Sequence, residues 1–274
     1  DCPCFRTRIG GVIMTKLIGV ITNDAGNIFQ RQVIAGIRTI TDQKGYELVI
    51  ENRANPNNPP LDRHSMAGIL VIANVLSDDA LRDLYASGKP VSLVSHRVRY
   101  TPIPAVLPDN SGGISALVDY LVGRGKQRIV FIQGDMNQND GVERTIAFRR
   151  QLMRHNLPMD ERLFLRGDFN PEIARASMEA FLAQDIPFDA VAGADFILAI
   201  VAKQVLEAHH RAQGMCVVGF GDGAEAAQAG LTTVGVDVEQ IGMRAARQLL
   251  GQIEGLKIGG VTVLSTTIVE RESC

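Results

Sequence analysis

From Leu17 onward, short aliphatic runs alternate with longer stretches whose apolar residues recur at every third or fourth position. The aliphatic runs fall at residues 17–21, 47–50, 69–73, 91–94, 128–133, 163–166, 190–193, 215–220, 232–236 and 261–269. Between them the period changes. Phe29, Val33, Ile37 and Ile40 stand four, four and three apart, and Ile114, Leu117, Val118 and Leu121, three, one and three apart, likewise share one helical face behind a capping pair, Asn110-Ser111. Such spacing lays apolar side chains along one stripe of a helix, and an Asn or Ser just ahead of it can accept from the unpaired amides of the first turn. The same spacing predicts helices over 77–87, 141–155, 171–183, 196–209 and 238–254. Strands alternating with helices mark βαβ units and parallel sheets. The fold class is therefore α/β, and ten strand-like runs are more than one compact sheet of ordinary width holds.

One gap breaks the alternation. Residues 52–60 carry Asn52, Asn55, Asn57 and Asn58 together with Pro56, Pro59 and Pro60, and both residue types oppose helix. An extended crossover with a short turn near 62–66 is expected there. The best place to divide the chain is Gly123-Arg124-Gly125-Lys126-Gln127, a polar, glycine-bearing joint between a strong helix and a strong strand. In an open parallel sheet, ligands bind beyond the carboxyl ends of the strands. The strand-to-helix loops are thus where chemistry is sought.

Composition narrows the function classes. With 274 residues and 46% apolar content, the chain can bury one large core or two smaller ones. A net charge of −2 and a pI near 6.2 leave no basic footprint for nucleic acid. The four cysteines, Cys2, Cys4, Cys216 and Cys274, are too few and too uneven for a disulfide framework, so a reduced, cytoplasmic setting is expected. Cys2-Pro3-Cys4 could be half of a metal site, but no second pair stands at ligand spacing, and a frayed terminus is the other reading. No apolar run reaches the roughly 18 residues that span a bilayer, and residues 1–14 lack a signal peptide's apolar core. They are set aside as a disordered or irregular leader, with Met14 either an internal or a true start.

Enzyme motifs are weak. Gly219-Phe220-Gly221-Asp222-Gly223-Ala224 follows a strand, but its spacing departs from the dinucleotide GxGxxG. No GxSxG elbow occurs, and His64, His96, His155, His209 and His210 stand at no zinc spacing. We expect no catalysis, no cofactor and no metal.

Seven ordered pieces carry a resemblance. They are Ile18-Gly19-Val20-Ile21, the stretch from Arg124-Gly125-Lys126-Gln127 to Gln133-Gly134, Val142-Glu143-Arg144 ahead of Ala147-Phe148, Phe188-Asp189-Ala190-Val191, Cys216 through Asp222, Leu231-Thr232-Thr233-Val234, and Ser265 through Cys274. From about Lys16 to Cys274 the chain resembles the effector-binding domain of LacI-type (LacI/GalR) transcription regulators, which shares its fold with periplasmic sugar-binding proteins. The resemblance implies a two-lobed, type I periplasmic-binding-protein-like α/β fold with crossings near 124–127, 236–238 and 261–264. The N-terminal lobe would hold 15–125 plus 237–260, and the C-terminal lobe 126–236 plus 261–274. It further implies a small carbohydrate or related polar effector bound between closing lobes, and a cytoplasmic homodimer formed through first-lobe residues such as Leu81, Leu84 and Tyr85. Neither a membrane nor DNA would be a partner of this chain by itself. The family's helix-turn-helix is not found in residues 1–15, so DNA would be reached only through a separate domain. A transporter's solute-binding protein, or a sensor fused to another output module, is the alternative.

Site residues transfer by position. Arg144 takes the place of the family's pocket arginine, whose planar fork suits paired hydroxyls or a carboxylate; a surface arginine at a helix start is the plainer reading. Asp109 matches a ligand-binding acid, or else caps a helix. Phe169 matches an aromatic that stacks on the ligand, or else fills core. Asn23, Asp24, Phe29, Asn74 and His96 follow the first, third and fourth strands and would line the first lobe, with Asp140 and Asp195 on the other. Two positions depart from the family: Ala194 stands where Asn is usual, and Gly221 where Asp is usual, leaving Asp222 as the acid of that loop. These departures point away from a standard hexose or purine.

Overall fold

A computed structural model describes residues 8–9, 12–13, 16–55, 57–58 and 60–274. In chain order the elements are β1 (Arg8–Ile9), β2 (Val12–Ile13), β3 (Lys16–Thr22), α1 (Ile28–Gln43), β4 (Tyr46–Asn52), β5 (Met66–Ile72), α2 (Asp78–Ala86), β6 (Val91–Val94), β7 (Ala105–Pro108) and α3 (Asn110–Gly123). Then follow β8 (Ile129–Gln133), α4 (Asn139–Arg154), β9 (Phe164–Arg166), α5 (Pro171–Leu182), β10 (Ala190–Gly193), α6 (Phe196–Ala208), β11 (Cys216–Phe220), α7 (Ala224–Gln228), β12 (Thr232–Gly235), α8 (Val238–Ile253), β13 (Val261–Leu264) and β14 (Thr267–Val269). The expected α/β class holds throughout. Of the leader, only the antiparallel pairing of β1 with β2 is described; Cys2 and Cys4 lie outside the described residues.

Contacts divide the chain into two units, the residues up to Leu107 with Val238–Thr262, and Pro108–Asp237 with Val263–Cys274. The first unit's sheet runs β13-β7-β6-β5-β3-β4, with the five strands from β4 to β7 parallel. Its strands read as unbroken aliphatic runs because both faces are covered: Ile18, Val20 and Ile21 in β3 and Ile69 through Ile72 in β5 are fully buried. Asn27 caps α1 by accepting from the Phe29 amide, and Val33, Ile34, Ile37 and Ile40 turn inward from one face. Against them lies α8, which returns from far along the chain with Ile241, Gly242, Ala245 and Leu249 buried. The two helices meet backbone to backbone, since a Cβ on Gly36 would overlap the Glu239 carbonyl and one on Gly242 the Val33 carbonyl.

The described residues of the Asn- and Pro-rich gap form turns and irregular chain and no helix, as expected. Buried Glu51 pins it by accepting from the Leu61 amide and from Arg53 Nε, and a turn at Asp62–Ser65 leads into β5.

The second unit's sheet runs β14-β12-β11-β10-β8-β9, parallel except where β14 lies antiparallel on β12. A cluster of aromatic rings sits beneath it, with Phe131 stacked on Phe148 at 4.2 Å between centroids and Phe164 edge-on to both.

Several expectations are corrected. The run 261–269 is two strands in different sheets, broken at Ser265-Thr266. The strand β7 was not anticipated. Helix α3, assigned with 15–125 to the first lobe, packs instead on α4, β11 and β12, where Gly113 lies against Phe220 and Val234. Leu81 and Leu84 are buried in the first unit's own core and offer no dimer surface. Cys216 and Cys274, read as reduced, are joined by a disulfide across 58 positions.

Candidate functional site

In each unit the parallel strands follow one order, β4-β3-β5-β6-β7 and β9-β8-β10-β11-β12. The crossovers leave the first strand to one side and return on the other, so a crevice opens past the carboxyl ends of β3 and β5, and of β8 and β10. This is the switch point where doubly wound sheets take ligands.

In the second unit the switch point is filled by Arg144. It projects from the second turn of α4, inward because Thr145, Ala147 and Phe148 on the same helix are buried against the sheet. Its Nε donates to Asn110 Oδ1 at 2.8 Å and its Nη1 to the Ala194 carbonyl at 2.9 Å, and Nη2 stands 3.4 Å from Asp140 Oδ2. The guanidinium carbon lies 3.9 Å from the centre of the Phe220 ring and 5.8 Å from that of Phe169. Asn110 is saturated in turn: its amide donates to Asp140 Oδ1 at 2.8 Å and Glu143 Oε2 at 2.9 Å. One cation, two carboxylates and an amide thus tie α3, α4 and the ends of β10 and β11 together.

The electrostatics follow from burial. Loss of water lowers the Arg144 pKa from its ordinary value, opposed by the charges of Asp140, Asp195 and Glu143. Asp195 caps α6 by accepting from the Leu198 amide at 2.8 Å. Burial raises its carboxyl above the usual range, against the pull of that bond and of Arg144.

Phe169 is set by backbone. Asp168 and Phe169 both take positive φ, 50° and 53°, a left-handed pair that costs energy in non-glycine residues. The turn lays the Phe169 ring on Gly134, where any Cβ would overlap it. Beside them the loops after β8 and β9 border an open, shallow pocket of about 380 Å³, with Asp135 and Asn137 on one side and Arg166 and Asp168 on the other.

The structure thus gathers Asp140, Arg144, Phe169 and Asp195 within one unit. Asp109 instead caps α3, its carboxylate accepting from the Gly112 amide at 2.8 Å; its neighbour Asn110, read only as a cap, reaches Arg144. Asp222 accepts from Thr233 Oγ1 at 3.0 Å and Arg271 Nη2 at 2.9 Å, which commits it to clasping the segment after β14. Sequence reasoning missed Asn110, Glu143 and Phe220. The Asp-Asn pair ahead of α3 and the aromatic closing β11 were the only local signals.

The first-unit candidates follow β3, β5 and β6. Asn23 and Asp24 are exposed, with Asp24 Oδ1 accepting from the Gly26 amide and the Asn23 carbonyl from the Ala54 amide. Phe29 sits in the first turn of α1 and Asn74 just past β5, both half-buried. His96 is buried, with Nε2 3.0 Å from Asp78 Oδ1. Among the described residues, no group of three or more His, Cys, Asp and Glu side chains could hold a metal ion, and no helix is long and apolar enough to cross a membrane.

The Asp222–Arg271 pair carries a pH prediction. Burial would raise the Asp222 carboxyl, but the bonds from Arg271 and Thr233 outweigh it and hold the pKa below its ordinary value. A carboxylate held low when folded contributes stability above its unfolded pKa and loses it as pH falls through the folded one. Asp222→Asn should therefore cost stability at neutral pH, and progressively less as pH falls below the ordinary carboxylate range. Urea unfolding across pH checks this, and a pH-independent difference would sink it.

Comparison with known proteins agrees with this fold. The family described as periplasmic binding protein-like domain matches residues 118–274. The chain is 27% identical over 263 residues to the HTH-type transcriptional regulator CelR of Thermobifida fusca, covering 89% of this chain and 76% of that protein. It is 24% identical over 212 residues to the HTH-type transcriptional regulator AscG of Escherichia coli, covering 75% and 62%. Among solved structures, a CelR–cellobiose complex superposes with a TM-score of 0.83 at 24% identity, covering 95% of this chain and 85% of that one. The lac repressor dimer bound to operator and an anti-inducer gives 0.83 at 22% identity, covering 95% and 94%. The chain belongs to the periplasmic binding protein-like domain family, and its relatives there are LacI-type transcription regulators.

Proposed function

We propose that this chain is the effector-binding sensor domain of a LacI-type regulator, taking a small, polar, sugar-like molecule at the carboxyl ends of its parallel strands. The observation that carries this is the Arg144 cluster at the β8–β10 switch point, where a cation, an aromatic platform and hydroxyl-accepting carboxylates converge beside an open pocket. Phe169 supplies a face for the apolar side of a sugar ring, Phe220 backs the Arg144 guanidinium, and Asp135 and Asn137 supply acceptors and donors for the sugar's hydroxyls. Ala194 and Gly221 stand where relatives of this type carry polar side chains. The Ala194 carbonyl is taken up by Arg144, so the ligand differs from the usual hexose in how it is held. Ligand binding would shift the population between conformations of the domain. In an intact regulator, that shift would alter operator affinity through a separate DNA-binding domain, with two copies acting as a dimer.

A thermal-shift screen of mono- and disaccharides, cellobiose included, tests the reading. At a hundredfold excess over Kd, a ligand stabilises by about 2.7 kcal/mol, which at about 2–4 °C per kcal/mol in a domain of this size raises Tm by about 5–10 °C. No shift with any sugar, together with a monomer in sedimentation at all concentrations, would overturn it.

A further inference from the structure

We propose that Cys216 and Cys274 form a reversible thiol–disulfide site, exchanging with low-molecular-weight thiols and disulfides of the glutathione class, whose oxidation state sets how tightly residues 270–274 hold to the second sheet. The two sulfurs are bonded across 58 positions of sequence. Cys216 opens β11 and is buried, whereas Cys274 is half-buried. That asymmetry assigns the roles, because exchange needs access of an external sulfur along the S–S axis. Cys274 meets the small molecule and Cys216 resolves.

Oxidation consumes one glutathione disulfide. The Cys274 thiolate attacks one of its sulfurs, a Cys274–glutathione bond forms, and one glutathione thiolate leaves. The Cys216 thiolate then attacks the Cys274 sulfur, the intramolecular bond forms, and the second glutathione thiolate leaves. Two cysteine thiols are oxidised and one disulfide is reduced to two thiols, so protons and electrons balance. Reduction reverses both steps.

The residues between these sulfurs and the sheet say what the bond controls. The Val217 amide donates to the Ser273 carbonyl at 2.8 Å, and the Ser273 amide to the Gly230 carbonyl at 3.0 Å. Ser273 Oγ donates to the Val217 carbonyl at 2.6 Å and accepts from the Thr232 amide at 2.8 Å. Arg271 extends the clip to the Leu231 carbonyl and Asp222. Glu270 and Glu272 are exposed, so no apolar burial at those positions opposes release. With the disulfide intact, the segment cannot leave even when its hydrogen bonds break. Without it, the clip opens locally while the sheet stays folded. The site does not depend on any ligand.

The full chain, equilibrated in glutathione buffers of varied ratio and quenched by alkylation, should show a disulfide fraction that follows the ratio in both directions. The trapped mixed disulfide should sit on Cys274 and not on Cys216. On reduction, amide exchange at Val217, Thr232 and Ser273 should quicken about tenfold or more, with β3, β5 and β6 unchanged. Cys274→Ser should show the fast exchange in both buffers. A pair that stays oxidised in excess reduced glutathione, an adduct on Cys216, or exchange indifferent to reduction each overturns the proposal.

Discussion

Arg144→Ala is expected to destabilise the second unit by about 3–5 kcal/mol, the cost of removing one partner from a buried ionic cluster. The guanidinium is held among the charges of Asp140, Asp195 and Glu143. Truncation removes the Asp140 ion pair, leaves the Ala194 carbonyl without the Arg144 donor, and uncovers the face of Phe220. Each loss is of a buried group that water does not readily replace. Arg144→Lys distinguishes charge from geometry. Lysine keeps the charge but cannot reach Asn110, Ala194 and Asp140 from one planar head, so it should recover only part of the loss. Urea unfolding gives the stability and the thermal-shift screen gives the ligand response. A change within about 0.5 kcal/mol for Arg144→Ala, as for an ordinary surface substitution, would show that the cluster is not closed as described.

The same cluster shows how far a sequence can be read. Arg144 and Phe169 are reached only through the family resemblance, since by themselves an arginine near a helix start and an aromatic after a glycine turn read equally as surface and core. Asn110 carried only the signal of a cap. Its bonds to Asp140, Glu143 and Arg144 span 30 to 34 positions, and no local period records a bond of that range. Asp109, Asp222 and His96 had the chemistry of ligand contacts, but their partners come from the fold: a helix's own amide, the segment after β14, and Asp78 in α2. Residue type says what a side chain can bond, and topology decides what it does bond.

The strands divide along the same line. Those of the parallel sheets are legible because burial on both faces demands unbroken aliphatic runs, as in Ile69–Ile72. Between Val261 and Val269 the alternation passes through Ser265-Thr266 unchanged in character, so nothing in the pattern tells that β13 joins β7 and β14 joins β12. Ala105–Pro108 is four residues long, with Pro102 and Pro104 ahead and Pro108 at its end, and reads as loop until a neighbouring strand supplies its bonds. The Cys216–Cys274 pairing is equally silent, since it depends on the chain threading back beside β11.

Glycine substitutions in the helices give the other large effect, and they should split in sign. Gly36→Ala and Gly242→Ala are each expected to destabilise by about 3 kcal/mol, at the upper end of overpacking costs. At both positions the new Cβ would overlap a backbone carbonyl of the partner helix, Glu239 for Gly36 and Val33 for Gly242. No rotamer change relieves an overlap with backbone, so the whole helix must withdraw. Withdrawal of α8 from α1 loosens Val33, Ile37, Ile241 and Ala245 together, all of them fully buried. It also loosens the tie to β6, because Gln252 Nε2 on α8 donates to the Val91 carbonyl at 2.8 Å and Gln248 accepts from Ser92 at 3.0 Å. Gly123 is the control. It closes α3, nothing lies within 4 Å of a Cβ built there, and its φ is not positive. Gly123→Ala should therefore stabilise by up to about 1 kcal/mol, since alanine loses less backbone freedom on folding. Urea unfolding of the three variants checks both signs at once. If Gly242→Ala proved as harmless as Gly123→Ala, α1 and α8 would not be in backbone contact, and the segment Val238–Thr262 would have to be held to the first unit by some other surface.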